Sequence, residues 1–180
     1  MRRRHLLAGL ASVGALGGAG AIATNNVPAA LGGDASEPVD PVTLDTVDAP
    51  GSRDGNVTLP APDRPTFVDF FATWCGPCAE QMPDLVEAHD RIGDEVLFVS
   101  VTTEDVGGLV SEETIVDWWT EHDGDWHIAA DTSLELVTRL GVDGFPSARA
   151  VDATGRVRWA DSGTHTTEEF VEGIGRALGQ

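Results

Sequence analysis

The sequence contains no lysine: eleven arginines are its only Lys or Arg residues, against thirty aspartates and glutamates. The formal net charge is −19 at pH 7. Nucleic-acid binding needs Lys and Arg to displace counterions from phosphates, so this balance argues against a nucleic-acid partner. It also argues against general attraction to anionic lipid headgroups. An acidic surface without lysine predicts adaptation to high salt, because the compact state must tolerate its own charge repulsion.

Cysteine is almost as scarce, since the chain holds only Cys75 and Cys78. A structural disulfide framework uses more cysteines, placed far apart to close long loops. A pair three positions apart closes almost no loop and contributes little through chain entropy. The sequence also lacks a second Cys-x-x-Cys or a His-x-x-x-His that would complete a four-ligand zinc site. The pair is therefore predicted to serve a chemical purpose.

Residues 1–23 have the layout of an export signal, in which Arg2 to Arg4 precede an uncharged stretch rich in Gly and Ala. The two arginines and the leucines that follow resemble a twin-arginine signal, and Ala21-Ile22-Ala23 offers a cleavage site. An uncleaved signal anchor is the alternative, because the apolar run approaches the length of a bilayer span. Both predict a protein that is exported, to the outer face of the cytoplasmic membrane or the extracellular space.

Residues 24–41 mix Pro, Gly, Asn and acids without periodicity, which predicts a flexible linker. The folded domain is predicted to span 42–180. It opens with two short β-prone pieces, 42–44 and 57–59, separated by turn residues and predicted to form a hairpin.

The rest of the domain alternates between strand-like and helix-like patterns. Strands are predicted at 66–71, 95–101, 126–130, 147–151 and 157–159. Helices are predicted after Cys78, after Ser111, from the capping box Thr132–Glu135 to Leu140, and after the capping box Thr166–Glu169. Of the adjacent Trp118 and Trp119, only one is expected in the core, because neighbours cannot share one helix stripe. The alternation predicts a central sheet with parallel strands and helices on both faces.

The first cysteine lies where a buried strand gives way to a helix. Free N–H groups and the positive end of the helix dipole stabilise a thiolate there, and the thiolate is the form that attacks a disulfide. Gly76 and Pro77 allow a tight turn, so Cys78 comes to face Cys75. Cys75 is thus the predicted attacking thiol, and Cys78 the resolving thiol.

The motif Trp74-Cys75-Gly76-Pro77-Cys78 resembles the active site of thioredoxins. Phe145-Pro146 before a strand resembles the cis-proline segment that the superfamily packs against its cysteines. Asp69, six residues before Cys75, matches a buried acid that can accept the proton of the resolving cysteine. Asp69 as a salt-bridge partner is the alternative. The resemblance implies Cys75, Cys78 and Asp69 as catalytic residues.

The spacing between Cys75 and Pro146 exceeds that of a minimal thioredoxin, and the excess covers about 104–130. This insertion and the leading hairpin resemble the TlpA/ResA-like branch of exported or membrane-tethered thioredoxins, typically reductants. The fold implied is a thioredoxin-like three-layer α/β/α fold with a central mixed sheet, an N-terminal hairpin and a helix–strand insertion. Ala79 and Glu80 depart from the branch, where many relatives carry a basic residue after the second cysteine.

The resemblance implies an enzyme, a thiol–disulfide oxidoreductase acting as a reductant. Its partners would be protein thiols and disulfides, among them apocytochrome c or other exported proteins, together with a membrane electron donor. Membrane contact would come only through an uncleaved N-terminal segment. The resemblance implies no metal and no cofactor other than the Cys75–Cys78 disulfide itself. The residues expected to contact substrate are Trp74, Gly76, Pro77, Phe145 and Pro146.

Two alternatives remain open. A thioredoxin-like copper carrier would bind Cu(I) through the two cysteines and a distant histidine, for which His165 is the candidate. A binding module without catalysis would carry the same fold with unreactive cysteines.

Overall fold

Seven strands form one mixed sheet in the computed structural model, which describes residues 37–180. The strands are β1 (Val42–Thr46), β2 (Gly55–Leu59), β3 (Thr66–Phe71), β4 (Leu97–Thr102), β5 (His127–Ala130), β6 (Ser147–Val151) and β7 (Val157–Ser162). Their order across the sheet is β2-β1-β5-β4-β3-β6-β7. The central strands β3, β4 and β5 run parallel, and the other pairings are antiparallel.

Helices cover both faces of this sheet. Within residues 37–180 they are α1 (Gly76–Ile92), α2 (Glu112–Glu121), α3 (Glu135–Arg139) and α4 (Thr167–Ala177), with a 3₁₀ turn at Gly93–Glu95. One buried cluster joins α1, α2 and α4 to the face of β3 that carries Phe67 and Phe71. A second cluster joins α3 to the opposite face through Val68 and Phe70. The predicted three-layer architecture, with a hairpin at its N-terminal edge and the α2–β5 insertion, is confirmed.

Local sequence signals set most of the element ends. The strand β3 occupies the predicted residues, and Ser111 caps α2 by accepting the Thr114 N–H. At α4 the capping box is complete, because Thr166 accepts the Glu169 N–H and the Glu169 carboxylate accepts the Thr166 N–H. These contacts lie within three residues along the chain, so the sequence alone could predict them.

The capping box predicted at the start of α3 is wrong. Leu134, with a φ of 60°, precedes the helix and supplies no side-chain cap. The buried carboxylate of Asp131 caps the helix instead, accepting the N–H groups of Glu135 at 3.0 Å and Val137 at 2.9 Å. Asp131 follows β5 directly, so the end of a strand rather than a local box supplies the acceptor.

The expectation that only one of the two adjacent tryptophans is buried is also wrong. Trp119 is fully buried and Trp118 is 9% exposed. Trp118 stacks on Phe71 with ring centroids 4.7 Å apart, whereas Trp119 meets Trp126 edge-on at 4.9 Å. Both rings are covered because β3 packs against Trp118 and the segment after α2 brings Trp126 against Trp119.

The predicted signal segment, 1–23, and most of the predicted linker, 24–41, lie outside the described residues. Of the linker, residues 37–41 are described, and the Val39 N–H donates to the Gly155 carbonyl at 2.8 Å. Within residues 37–180, no helix has the length and apolar character needed to cross a membrane.

Candidate active site

The two cysteines form a disulfide at the start of α1. Cys75 is the N-cap residue, and the Cys78 N–H points at its sulfur at 3.2 Å. Pro77 occupies the first turn, where its missing N–H costs no helical hydrogen bond. The first turn of α1 carries no acidic side chain, and Glu80 is exposed beyond it. The reduced Cys75 sulfur would therefore meet an N–H and the positive end of a helix dipole.

The disulfide is largely covered, but its surroundings are open to solvent. Cys75 is 5% exposed and Cys78 1%, whereas Trp74 is 73% exposed. The Trp74 and Phe145 rings meet edge-to-face with centroids 6.2 Å apart. Gly76 and Pro77 are exposed as well. We call Trp74, Gly76, Pro77 and Phe145 the apolar rim, because they surround the covered disulfide with accessible apolar surface.

The rim joins two loops from neighbouring strands. The Phe145–Pro146 peptide bond is cis, and Pro146 is buried immediately before β6. Strand β6 runs antiparallel to β3, with Ser147 opposite Phe70. The C-terminal end of β3 and the N-terminal end of β6 therefore lie side by side, at the same end of these two strands. The Trp74–Phe145 contact shows that the sequence-predicted residues on these two loops come together there.

A carboxylate from the insertion holds the loop that carries Trp74. Glu104 accepts the Thr73 backbone N–H at 2.8 Å and the Thr73 hydroxyl at 2.7 Å. The Thr102 hydroxyl, at the end of β4, donates to the same carboxylate at 3.0 Å. Glu104 thus ties the approach to the cysteines to the adjacent strand.

Asp69 lies beneath α1 and is 1% exposed. Its carboxylate accepts hydrogen bonds from the Gln81 amide at 3.1 Å and the Ser100 hydroxyl at 3.2 Å. The Ser100 hydroxyl oxygen in turn accepts the indole N–H of Trp126 at 3.0 Å. Burial raises the pKa of Asp69 from its ordinary value of 3.8 to about 7, although both hydrogen bonds act to lower it.

This environment bears on the two interpretations of Asp69. Both hydrogen-bond partners are uncharged, and within residues 37–180 Asp69 forms no ion pair, so the salt-bridge alternative lacks a partner. A carboxyl with a pKa near neutrality can take up and release a proton at physiological pH. Gln81 links it to the helix of the cysteines, since Gln81 follows Cys78 by three residues, about one turn.

Sequence reasoning did not single out Gln81, Ser100 or Glu104. The spacing of Gln81 from Cys78 was a usable signal, because residues three apart share a helix face. Ser100 and Glu104 gave no such signal. Ser100 reaches Asp69 only through the register of β3 and β4, which aligns these two residues.

The described residues contain no ready-made metal cluster. A search of residues 37–180 finds no group of three His, Cys, Asp or Glu residues that could hold a metal ion. His165 lies against Trp159 and Phe170, with ring centroids 5.2 and 5.4 Å away, and its Nε2 is 3.4 Å from the Asp161 carboxylate.

Fold and site together define a thioredoxin-fold protein with a disulfide at the N-terminus of a helix. The same fold occurs in the pneumococcal exposed lipoprotein thioredoxin of Streptococcus pneumoniae, with a TM-score of 0.63 and 21% identity. That match covers 76% of this chain and 98% of the other. The chain belongs to the Redoxin family, whose model matches residues 35–178.

Two relatives by sequence illustrate the range of similarity. The thiol–disulfide oxidoreductase ResA of Bacillus thuringiensis subsp. konkukian is 25% identical over 109 residues, 59% of each chain. The chloroplastic thioredoxin Y of Oryza sativa subsp. japonica is 45% identical over 42 residues, 23% of this chain and 25% of that one. The chain thus matches between a quarter and three fifths of the length of these relatives.

Proposed function

We propose that the protein is a thiol–disulfide oxidoreductase that reduces protein disulfides by dithiol–disulfide exchange. The observation that carries the proposal is the Cys75–Cys78 disulfide, with Cys75 as the N-cap of α1 at the end of a buried strand. Membership of the Redoxin family and similarity to a ResA protein support it.

In the proposed reaction the Cys75 thiolate attacks a substrate disulfide, forms a mixed disulfide and releases one substrate thiolate. Cys78 gives its proton to the ionised Asp69, directly or through a water molecule, and attacks the Cys75 sulfur. The Cys75–Cys78 disulfide forms, and the second substrate thiolate leaves. Two electrons pass from the protein to the substrate, and an external dithiol must restore the reduced protein.

The apolar rim is the proposed docking surface for the substrate chain. Trp74 offers exposed aromatic area beside the disulfide, and the half-buried Phe145 packs against it. Aromatic side chains dominate many protein contacts. Pro146 ends the segment that leads from this surface into β6. Protein disulfides are therefore favoured over small disulfides as substrates.

An insulin-reduction assay with an external dithiol tests the activity. Wild-type protein should accelerate reduction, Cys75→Ser should be inactive, and Cys78→Ser should accumulate a mixed disulfide that mass spectrometry detects. An inactive wild type, or full activity in Cys75→Ser, would contradict the proposal and favour a binding module. Titration with glutathione or dithiothreitol mixtures tests the direction of electron flow, and a reductant should have a potential near that of thioredoxin, about −270 mV.

The proposed place of action is outside the cytoplasm, with exported proteins such as apocytochrome c as substrates and a membrane protein as electron donor. Support comes from the twin-arginine-like pattern of residues 1–23 and from a structural neighbour whose name describes an exposed lipoprotein. Replacing Arg3 and Arg4 by lysine should keep the protein inside the cell. Export of this variant at the wild-type level, measured by cell fractionation, would exclude a twin-arginine signal.

A further inference from the structure

A cleft of about 270 Å³ opens beside the cysteine helix and is not used by the reaction proposed above. It lies between α1 and the loop that joins β7 to α4. Its lining residues are Glu80, Gln81, Asp84, Thr164, His165 and Thr166. Two of them follow Cys78 within one helical turn, so an occupant of the cleft would lie close to the disulfide.

Two buried polar atoms of this lining have no hydrogen-bond partner among residues 37–180, Gln81 Oε1 and His165 Nδ1. Gln81 is 3% exposed, and its amide N–H is committed to the Asp69 carboxylate. A carboxylate can only accept hydrogen bonds. The ionised Asp69 therefore holds the Gln81 amide with its N–H toward the carboxylate, which leaves Gln81 Oε1 without a partner. An unmatched buried acceptor costs free energy unless a donor reaches it.

The second unmatched atom is an acceptor as well. The His165 Nε2 lies 3.4 Å from the Asp161 carboxylate, an arrangement that favours a proton on Nε2. In a ring whose single proton is on Nε2, Nδ1 presents a lone pair. The side chain is 8% exposed and packs edge-on against Trp159, so the ring is held in place.

Charge in the cleft has one sign. Glu80 is exposed at the cleft, and Asp84 accepts the Thr167 backbone N–H at 2.9 Å. The lining contains no Arg, and the chain contains no Lys. Acceptors and carboxylates therefore dominate the cleft, and the matching occupant is a cation with several N–H donors. A guanidinium has five donors in a fixed plane and keeps its charge when it is desolvated.

We propose that this cleft is a subsite for an arginine side chain of the protein whose disulfide is reduced. The inference rests on the proposed function, because it gives that reaction a preference for substrates with an arginine near the target cysteine. Both acceptors are buried in this structure, so shifts of the side chains around them would let the guanidinium donate to Gln81 Oε1 and His165 Nδ1. Its charge would face the carboxylates of Glu80 and Asp84.

The test uses short blocked peptides with one cysteine in a disulfide with glutathione. Arginine, citrulline or lysine is placed at successive positions on either side of the cysteine. Citrulline keeps the shape of arginine without its charge. Single-turnover reduction by the reduced protein is followed by stopped-flow tryptophan fluorescence in 0.1 M and 1 M KCl. At one or two positions the arginine peptide should react about tenfold faster than the citrulline peptide, because charge-assisted hydrogen bonds exceed neutral ones.

Salt separates this subsite from the general negative field of the protein. In 1 M salt the field of exposed charges is screened beyond about 3 Å, whereas direct contacts persist. The arginine preference should therefore survive in 1 M KCl and depend on position. A preference that vanishes there, or is equal at all positions, would overturn the subsite. Equal rates for lysine and arginine would contradict the assignment to a guanidinium.

Matched variants localise the effect. Glu80→Gln and Asp90→Asn each remove one exposed acid from α1, but only Glu80 lines the cleft. The arginine-to-citrulline rate ratio should fall about threefold in Glu80→Gln and stay unchanged in Asp90→Asn, since solvent weakens an exposed ion pair. Equal losses in both variants would contradict the proposal.

Thr164→Arg is a second variant, at an exposed loop residue that lines the cleft. Its guanidinium would occupy the cleft in place of the arginine of the substrate. It should bring the rate ratio close to one. Circular dichroism would confirm that each variant is folded. If no peptide is reduced, the proposed function fails together with the subsite. If arginine and citrulline peptides are reduced at equal rates at every position, the subsite alone fails.

Discussion

At the scale of single residues, Asp69 combines a proposed role in proton transfer with a cost to stability. Its pKa is raised to about 7 by burial, so folding favours the protonated carboxyl. Its contribution to stability is fully present below the unfolded pKa near 4 and is lost as the pH rises through 7. The rise from 3.8 to about 7 corresponds to roughly 4 kcal/mol at pH 8.

Asp69→Asn should therefore raise the free energy of unfolding of the oxidised protein by a few kcal/mol at pH 8 and change it little at pH 4. Once the Gln81 amide turns over, the new amide can donate to Gln81 Oε1 and accept from Ser100, so both hydrogen bonds at this site can be kept. Urea unfolding of the variant and wild type across pH 4–8 measures this difference. Reduction of insulin should slow at the same time, because the proposed proton acceptor is gone.

Other titrating groups change the stability of the variant and of the wild type equally, so their contributions cancel in the comparison. Hydrogen bonds from Thr154, Arg156 and Arg158 outweigh burial and lower the pKa of Asp152 to about 2, which destabilises both proteins equally as the pH falls. Burial similarly lowers the pKa of His89 in both. Asp45→Asn, at an exposed site on β1, is the control and should show no such gain. A variant of Asp69 that is less stable than wild type at pH 8 would refute the account.

Glu104 is the second residue whose effect can be predicted. Glu104→Ala leaves the Thr73 N–H and hydroxyl without their acceptor, which should cost about 1–3 kcal/mol. The loop that carries Trp74 loses its tie to β4, so insulin reduction should slow as well. Glu104→Gln, which keeps one acceptor oxygen, should lie between. Glu121→Ala, at an exposed position of α2, is the control for both measurements. Wild-type rates and stability in Glu104→Ala would show that the loop needs no such tie.

At the scale of elements, two glycines of α4 have opposite roles. A Cβ at Gly173 would lie 2.3 Å from the indole ring of Trp159, whereas one at Gly175 meets nothing closer than 3.9 Å. Gly173 thus lets α4 approach β7, and Gly175 serves no comparable contact. The close approach also brings Phe170 to within 6.2 Å of Trp159, ring centroid to ring centroid.

Gly173→Ala should destabilise the protein by about 1–3 kcal/mol, the usual cost of overpacking. Gly175→Ala should stabilise it by up to about 1 kcal/mol, because alanine is the better helix former. The two glycines lie two positions apart in the same helix, so each variant controls for the other. Thermal or urea unfolding measures the pair, and destabilisation of equal size in both would show that the contact with Trp159 does not decide the effect.

At the scale of the whole molecule, charge governs stability in solution. A net charge of −19 makes the folded state repel itself at low salt. Screening by salt reduces this repulsion, so the urea midpoint should rise steeply between 0.05 and about 1 M KCl, where the Debye length has fallen to about 3 Å.

A variant that neutralises four exposed acids tests the cause of this effect. Replacing Asp45, Asp48, Asp90 and Glu121 by Asn or Gln should weaken the dependence on KCl and raise stability most at low salt. If the variant keeps the whole salt dependence of the wild type, specific ion binding or a salt effect on hydrophobic burial explains it better.

The sequence by itself determined the order of strands and helices, the capping box of α4 and the position of the cysteine pair at a strand–helix junction. These features depend on hydrophobic periodicity and on hydrogen bonds between residues a few positions apart. Both leave a local pattern in the sequence. The tertiary structure decided the burial of Trp118 beside Trp119, because their partners Phe71 and Trp126 come from other elements. The cap of α3 by Asp131 is a local contact, four residues from Glu135, that the predicted capping box missed.

The same distinction separates the parts of the candidate site. Cys75, Cys78 and Pro146 stand in motifs that the sequence displays. The partners of Asp69 depend on strand register, because Ser100 lies 31 residues away and meets it only when β4 pairs with β3. Glu104 likewise reaches Thr73 across 31 residues. Contacts over such separations depend on how the whole chain packs, so no local pattern could have specified them.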